Sequence, residues 1–345
     1  MTHLVVGLIY DLKTQYVFKE GDPSDANAEF DHPDTIGVLA DAFESFGYRA
    51  IRIGNVWDLI ERFRIDTTLG VDIVFNIAEG IGGRNRESQV PTLLEMMRVP
   101  YVGSDGLTLG LTLDKAMAKK VLISEGVPTP RSFEMASPCR LNGHRFKFPL
   151  IVKPSHEGSS KGLSERSVVK NPKDLLAQAE WVNRTYDQPA LVEEFIEGTE
   201  FTVAILGEGE SARALPVVQI QIDGKLNLGR LFYSFSSIVA GAEYICPAPI
   251  SKVQARTLQA VALSAYRACG CRDFGRVDLR VDRRGKPYVL EINPLPSLST
   301  EDVFAVIAKV QGISYARMLC TLLEEGIARE RVRGLSSPRR RLLAV

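Results

Sequence analysis

The chain has 345 residues, of which 45% are hydrophobic and 24% are charged. This length exceeds what one hydrophobic core usually supports, and the composition is that of a packed protein, so a single small module and a disordered chain are both excluded. Lys plus Arg equals Asp plus Glu at 42 each, which leaves no global field to attract nucleic acid or an anionic membrane.

The first third of the chain alternates between apolar, β-branched stretches and stretches with helical spacing. Strands are predicted at residues 4–10, 48–53 and 73–76, and helices at residues 32–46, 89–97 and 114–125. Strands that alternate with helices favour a parallel sheet with covered faces. Gly126 and the prolines after it end the last of these helices and predict a domain boundary.

From Pro149 onward the pattern changes to strands separated by turn residues, which is typical of an α+β organisation. Strands are predicted at residues 150–153, 190–196, 200–206, 213–222, 276–282 and 287–293, and helices at residues 253–269 and 314–325. The last fifteen residues, 331–345, are rich in arginine and predict a solvated tail rather than a nucleic-acid-binding arm.

The apolar stretches and the cysteines indicate the cellular compartment of the protein. The apolar stretch near the N-terminus has no basic flank or small-residue cleavage site, and no run approaches the roughly eighteen apolar residues of a membrane helix. Five scattered cysteines are a poor disulfide framework, which indicates a reducing cytoplasm. Cys269 and Cys271 lack a second ligand pair at a fitting distance, so they are interpreted as idle thiols rather than half of a metal site.

A charged hairpin near the C-terminus gives the strongest indication of chemistry. A two-residue turn at 284–285, or a four-residue loop, places Asp278 opposite Glu291 and Arg276 opposite Asn293. Two carboxylates about 5 Å apart repel each other unless a cation lies between them. Oxygen ligands without His or Cys suit Mg²⁺, with nucleotide phosphates completing its shell. The alternative is a solvent-exposed hairpin whose own arginines neutralise its carboxylates.

A second candidate segment begins where Lys153 ends a predicted strand and a Gly/Ser-rich loop follows. Its point charge, backbone N–H groups and hydroxyls suit phosphate oxygens, although the Walker A spacing is absent. Residues 158–162 also fit the GxSxG elbow of serine hydrolases. That elbow requires a His after its Ser, and all four His precede Ser160, which excludes a hydrolase. An ordinary flexible hairpin loop remains the alternative.

A third, weaker candidate is the acidic turn at residues 193–200. Its backbone groups could meet an adenine, and a carboxylate could meet the ribose hydroxyls. Glu-rich turns are common, so this segment indicates little by itself.

In their order and spacing, these segments resemble the D-alanine–D-alanine ligase branch of the ATP-grasp superfamily over about residues 72–311. The segments that carry the resemblance are QVPTLLE (89–95), PYVGS (100–104), LDKAMAK (113–119), KP (153–154), EGSS (157–160), EEFI (193–196), EFTV (200–203), YICPA (244–248), GRVD (275–278) and EIN (291–293). The resemblance implies an ATP-grasp fold: an N-terminal parallel α/β domain (1–114), two α+β subdomains that clasp the nucleotide (115–207 and 208–330), and a disordered tail (331–345).

The resemblance also implies the activity. The family joins a carboxylate to an amine through an acyl phosphate made from ATP, which implies ATP and two Mg²⁺ ions, with Mn²⁺ as a substitute. The implied partners are small acids and amines, amino acids among them, without nucleic acid or membrane; homodimers are common in the family. The alternatives are an ATP-dependent phosphotransferase and a nucleotide-binding protein without ligase activity.

The resemblance implies roles for individual residues of this chain. The implied nucleotide-binding residues are Lys115, Lys153, Ser159, Ser160, Glu193, Glu194, Ile196, Glu200 and Leu290. The implied metal ligands are Asp278, Glu291 and Asn293. Arg276 would neutralise charge on the acyl phosphate and the tetrahedral intermediate, and the two serines belong to the loop that closes over the phosphates. Because water would destroy an acyl phosphate, a lid is expected, and residues 228–242 are the candidate.

Departures from the family concern the substrate pockets. The N-terminal Gly-Gly-x-Ser-x-Glu turn, whose Glu reads the amino group of the first D-alanine, is absent at residues 7–11. Glu79 replaces a His, Ser236 replaces the lid Lys, and Ser297 replaces a Gly whose N–H serves the oxyanion. Asp302 replaces the Ser that holds the acceptor's carboxylate. A carboxylate would repel another carboxylate, so the predicted acceptor lacks an anionic group there or carries a positive one.

Overall fold

The computed structural model describes residues 4–137, 147–234 and 241–332, which form three sheets with helices packed on them. The N-terminal sheet is parallel, in the order β2-β1-β3-β4. Its strands are Val5–Ile9 (β1), Arg49–Gly54 (β2), Ile73–Asn76 (β3) and Tyr101–Val102 (β4), and its helices are Pro33–Ser45 (α1), Val56–Ile65 (α2), Gln89–Met97 (α3) and Gly106–Leu113 (α4).

The central sheet is antiparallel, in the order β5-β8-β6-β7. Its strands are Ser132–Met135 (β5), Leu150–Pro154 (β6), Val168–Val169 (β7) and Ala190–Glu194 (β8). Helix α5 (Lys115–Ser124) leads into this sheet, and helix α6 (Pro172–Tyr186) packs its buried face, which includes Leu175 and Val182, against it.

The C-terminal sheet has six strands and runs β12-β11-β9-β13-β14, with β10 paired to β9. Its strands are Gly198–Leu206 (β9), Arg213–Ala214 (β10), Val218–Gln221 (β11), Glu243–Ile245 (β12), Phe274–Asp282 (β13) and Pro287–Asn293 (β14). Its helices are Lys252–Ala268 (α7), Val303–Val310 (α8) and Tyr315–Val332 (α9). Antiparallel strands leave one face of this sheet to the core and the other to the cleft described below.

The main core joins the first sheet to the last. Phe75 of β3 and Phe274 of β13 stack with ring centroids 5.6 Å apart, and Phe304 of α8 meets Phe274 edge to face at 6.3 Å. All three side chains are fully buried in one cluster with residues of α1 and α9. Helices α8 and α9 are therefore shared between the N-terminal sheet and the C-terminal sheet.

The predicted α/β and α+β organisation is confirmed, and the predicted element boundaries agree with the structure to within a few residues in most cases. The single strand predicted at 213–222 is wrong, because the chain forms two short strands there. The helix predicted at 314–325 continues to Val332, so the predicted tail begins inside α9. Residues 333–345 lie outside the described part of the chain.

Among the described helices, no single one is both long and apolar enough to cross a membrane. The consecutive helices α8 and α9 pass that test together by length and composition, with a bend of 112° between them.

A buried ion pair fastens α9 to the rest of the molecule. Arg329 donates to Asp273 through Nε (2.8 Å) and Nη2 (2.9 Å), and Nη2 also donates to the backbone oxygen of Tyr101 at 2.6 Å. Asp273 in turn accepts from the backbone N–H of Gly103 at 2.8 Å. Both charged side chains are buried, so each depends on the other for compensation.

We expect Arg329→Met to lower the free energy of unfolding by about 3 kcal/mol, because it leaves the buried Asp273 carboxylate uncompensated. Urea-induced unfolding measures this change. Arg331→Met is the matched control, since Arg331 is exposed on the same helix and should have little effect. Equal stability of the two variants would contradict a stabilising role for the pair.

Candidate active site

A cleft between the central sheet and the C-terminal sheet collects most of the residues predicted from the sequence. The predicted residues that line it are Lys115, Lys153, Ser159, Ser160, Glu193, Glu194, Ile196, Glu200, Arg276, Asp278, Leu290 and Glu291. They come from α5, from β6 and the loop after it, from β8, from the turn into β9 and β9 itself, and from the hairpin of β13 and β14. Segments far apart in sequence thus converge on one site.

The hairpin has the predicted pairing in the cleft and a different turn. Asp278 lies opposite Glu291 and Arg276 opposite Asn293, as expected. The predicted two-residue turn and four-residue loop are both wrong: the amide of Gly285 bonds to the carbonyl of Asp282, and a bulge shifts the register by one residue after Asp278. The turn shifts the strand pairing by one residue relative to the prediction, and the extra residue in β14 shifts it back. Asp278 therefore still lies opposite Glu291.

The charged face of the hairpin is turned into the cleft rather than to bulk solvent. Asn293 donates through Nδ2 to Oδ2 of Asp278 at 2.8 Å, and Nζ of Lys115 lies 3.5 Å from Oε2 of Glu291. Burial raises the pKa of Asp278 to about 6, with Arg276 opposing the rise and Glu291 adding to it. Two facing carboxylates and an amide form an oxygen-rich donor set that fits a hard divalent cation.

A buried carboxylate between two lysines closes one end of the cleft. Glu193 lies 2.5 Å from Nζ of Lys119 and 2.7 Å from Nζ of Lys153. Burial opposes its ionisation, yet the two lysines lower its pKa to about 2. Sequence reasoning assigned no role to Lys119, although it follows Lys115 by one helical turn of α5 and so lies on the same face.

Arg276 is held between two carboxylates. Its Nε lies 3.5 Å from Oδ1 of Asp278, and its Nη1 lies 3.3 Å from Oδ1 of Asp302. Asp302 also caps α8, because Oδ1 accepts from the backbone N–H of Val303 at 2.7 Å. Nearby, the hydroxyls of Tyr233 and Tyr244 are 2.9 Å apart. The guanidinium is thus fixed in the cleft, and its buried Nε has no hydrogen-bond partner in the described part of the chain.

Arg280, which the sequence offered only as a neutralising charge, is a buried anchor. It lies 3.7 Å from Oε2 of Glu200 and donates to the backbone oxygen of Leu231 at 2.8 Å. It therefore fixes the start of the predicted lid at 228–242. Residues 235–240, including Ser236, lie outside the described residues.

The remaining predicted substrate residues do not line the cleft. Glu79 is half-buried and lies beside other acidic groups. Burial is the main cause that raises its pKa, and repulsion from Glu87 is the second. Ser297 is exposed on the turn before α8, where its Oγ accepts from the backbone N–H of Ser299 at 3.4 Å. Asp302 does not line the cleft itself and pairs with Arg276, which does.

The sequence and the fold of this chain are similar to those of known proteins. Residues 130–324 match the family model described as the C-terminus of D-ala D-ala ligase. The chain is 36% identical to a D-alanine–D-alanine ligase of Bordetella pertussis over 281 residues, which cover 80% of this chain and 85% of that one. It is also 40% identical over 253 residues to the uncharacterized protein y4sG of Sinorhizobium fredii, covering 73% and 74% of the two chains.

The fold is shared with solved structures. A D-alanine–D-alanine ligase of Bacillus anthracis, crystallised with ATP, superimposes with a TM-score of 0.73 at 24% identity, covering 96% of this chain and 99% of that one. This likeness establishes the ATP-grasp fold, and the closer sequence relatives establish the family, which uses ATP and Mg²⁺. The chain therefore belongs to the D-alanine–D-alanine ligase family and is an ATP-dependent carboxylate–amine ligase.

Proposed function

We propose that this ligase converts a carboxylic acid into an acyl phosphate with ATP and transfers the acyl group to an amine whose binding pocket differs from that for D-alanine. The observation that carries the proposal is the cleft hairpin, where Asp278 and Glu291 face each other beside Arg276. Such a cluster of like charges is stable when a cation and a polyanion enter together.

In this proposal the nucleotide lies along the cleft between the two ATP-grasp subdomains, 115–207 and 208–330. Lys115 and Lys153 contact its phosphates, the loop with Ser159 and Ser160 covers them, and Glu200 takes the ribose. Glu193, the backbone of Glu194 and Ile196, and Leu290 surround the adenine. The proximity of these residues in one cleft supports the placement.

Asp278, Glu291 and Asn293 would hold two Mg²⁺ ions. When bound there, Mg²⁺ supplies positive charge to the phosphates during transfer. Arg276 then stabilises the negative charge on the transferred phosphoryl group and, later, on the oxygen of the tetrahedral intermediate. Its two carboxylate neighbours fix the guanidinium in position before the substrates arrive, so little reorganisation is needed.

The acceptor pocket is where this chain departs from a ligase that joins two D-alanines. Asp302 brings a negative charge close to Arg276, and the hydroxyl pair of Tyr233 and Tyr244 lies in the same region. The carboxylate would repel the carboxylate of an amino-acid acceptor. We infer that the acceptor carries a neutral or positive group where D-alanine carries its carboxylate.

Release of ADP should require an acid and an amine together, because the acyl phosphate is discharged only by the amine. Screening amino acids and amines singly and in pairs for ADP release measures this dependence. ADP release with a single substrate and a stable phosphorylated product would instead indicate a phosphotransferase.

Glu291→Ala and Asn293→Ala should each lower kcat by about a hundredfold or more, because each removes an oxygen donor from the proposed Mg²⁺ site. ADP release at saturating Mg²⁺ measures the loss, and circular dichroism checks the fold. Glu301→Ala, at an exposed carboxylate nearby, is the control and should retain activity. Turnover like that of the wild type in either cleft variant would exclude the metal assignment.

Asp302→Ser should improve kcat/KM for acceptors that carry a carboxylate by about tenfold relative to their amides. Serine retains an oxygen that can cap α8, so the change tests charge rather than helix stability. Asp302→Asn, which removes the charge and keeps the size, should shift the preference in the same direction. If neither variant changes the ratio of D-alanine to D-alaninamide as acceptor, the proposed role of Asp302 is wrong.

A further inference from the structure

The segment between β1 and α1, residues 10–32, folds back over the Gly/Ser-rich loop that follows β6. Its ring contacts include Tyr16 with Phe30 at 5.7 Å, and the hydroxyl of Tyr16 donates to Asp22 at 2.8 Å. No motif in this segment predicts a role for it. Two of its carboxylates, Asp25 and Glu29, are directed at the loop.

These two carboxylates hold both ends of the loop. Glu29 accepts from the backbone N–H of Gly158 at 2.5 Å, and Asp25 accepts from the backbone N–H of Gly162 at 2.9 Å. Asp25 is itself fixed by the hydroxyl of Tyr186 at 2.9 Å. A Cβ added at Gly158 would lie 2.7 Å from Oε1 of Glu29, so a side chain at this position would displace the Glu29 carboxylate.

Glu29 is also part of a buried cluster of four charges, which we call the ionic quartet: Glu29, Arg86, Glu157 and Lys161. Arg86 lies 2.6 Å from Glu29 and 3.6 Å from Glu157. Lys161 lies 3.0 Å from Glu29 and also pairs with Glu157. The four side chains are at most 13% exposed, and the two positive and two negative charges balance.

Between the two anchored ends, Ser159 and Ser160 both have positive φ, at 46° and 57°. Two consecutive left-handed residues other than glycine are unfavourable by roughly 1 to 2 kcal/mol each. Such a conformation persists only when its surroundings determine it. The anchors at Gly158 and Gly162 and the charge on Lys161 provide those surroundings.

We propose that Glu29 is a positioning residue for ATP binding: through Gly158 and Lys161 it holds Ser159 and Ser160 in the conformation that receives the phosphates. This proposal rests on the proposed placement of ATP in the cleft. It assigns the segment at 10–32 to the nucleotide site, although the segment is remote from that site in sequence. In this role the Glu29 carboxylate stays paired with Arg86 and Lys161.

Glu29→Gln should raise the KM for ATP by about tenfold or more, because it leaves the buried cations in excess while preserving size. The KM values for the acid and the amine should stay unchanged. Glu20→Gln, at an exposed carboxylate of the same segment, is the matched control. A KM for ATP in Glu29→Gln equal to that in Glu20→Gln would overturn the proposal.

Hydrogen exchange of the full-length protein without ligands tests the positioning step separately. Amides of residues 158–162 should exchange about tenfold or more faster in Glu29→Gln than in Glu20→Gln. Asp25→Asn, at the other anchor, should give the same local change if Glu29→Gln folds poorly. Unchanged exchange in both variants would overturn the proposal. Faster exchange with an unchanged KM for ATP would also overturn it, whereas a wild-type protein that releases no ADP would refute the proposed function instead.

Discussion

The cleft is organised around two carboxylates, Asp278 and Glu291, that face each other on neighbouring strands. Placing two like charges in a buried site is unfavourable, and the structure surrounds them with cations rather than separating them. Lys115 lies beside Glu291, and Arg276 lies beside Asp278. The central sheet, the C-terminal sheet and α5 must therefore meet at this point, which explains why the three elements enclose one cleft.

Much of this arrangement follows from the sequence because strand pairing is local. The side-chain alternation of β13 and β14 fixes which residues share a face, and the hairpin connection brings Asp278 opposite Glu291. The prediction was correct for the pair but wrong for the turn. An error of one residue in the turn would normally change the pairing partner of every residue in the hairpin. Here a bulge restores the predicted register at Asp278 and Glu291. Bulges depend on packing across the sheet, which periodicity does not show.

The charges that sequence reasoning missed are those whose partners are distant in the chain. Glu29 and Lys161 are 132 residues apart, and Glu29 and Arg86 are 57 apart. No periodic pattern relates such residues, and a Glu in a polar segment normally predicts a solvated surface. Lys119 is a different case, because its spacing from Lys115 places it on the cleft face of α5, but its partner Glu193 lies far along the chain, on β8 of the central sheet.

Charge balance connects the proposed metal site to the proposed position of the nucleotide. The ion pairs around the cleft join five cations to five carboxylates: Lys115, Lys119, Lys153, Arg276 and Arg280 to Glu193, Glu200, Asp278, Glu291 and Asp302. ATP alone would add about four negative charges to these paired groups, whereas the two proposed Mg²⁺ ions would offset them. The nucleotide and the ions are therefore expected to bind together. Because this set includes Asp302, an acceptor with a free carboxylate would bring a further negative charge beside it, whereas the proposed neutral or cationic acceptor would bring none.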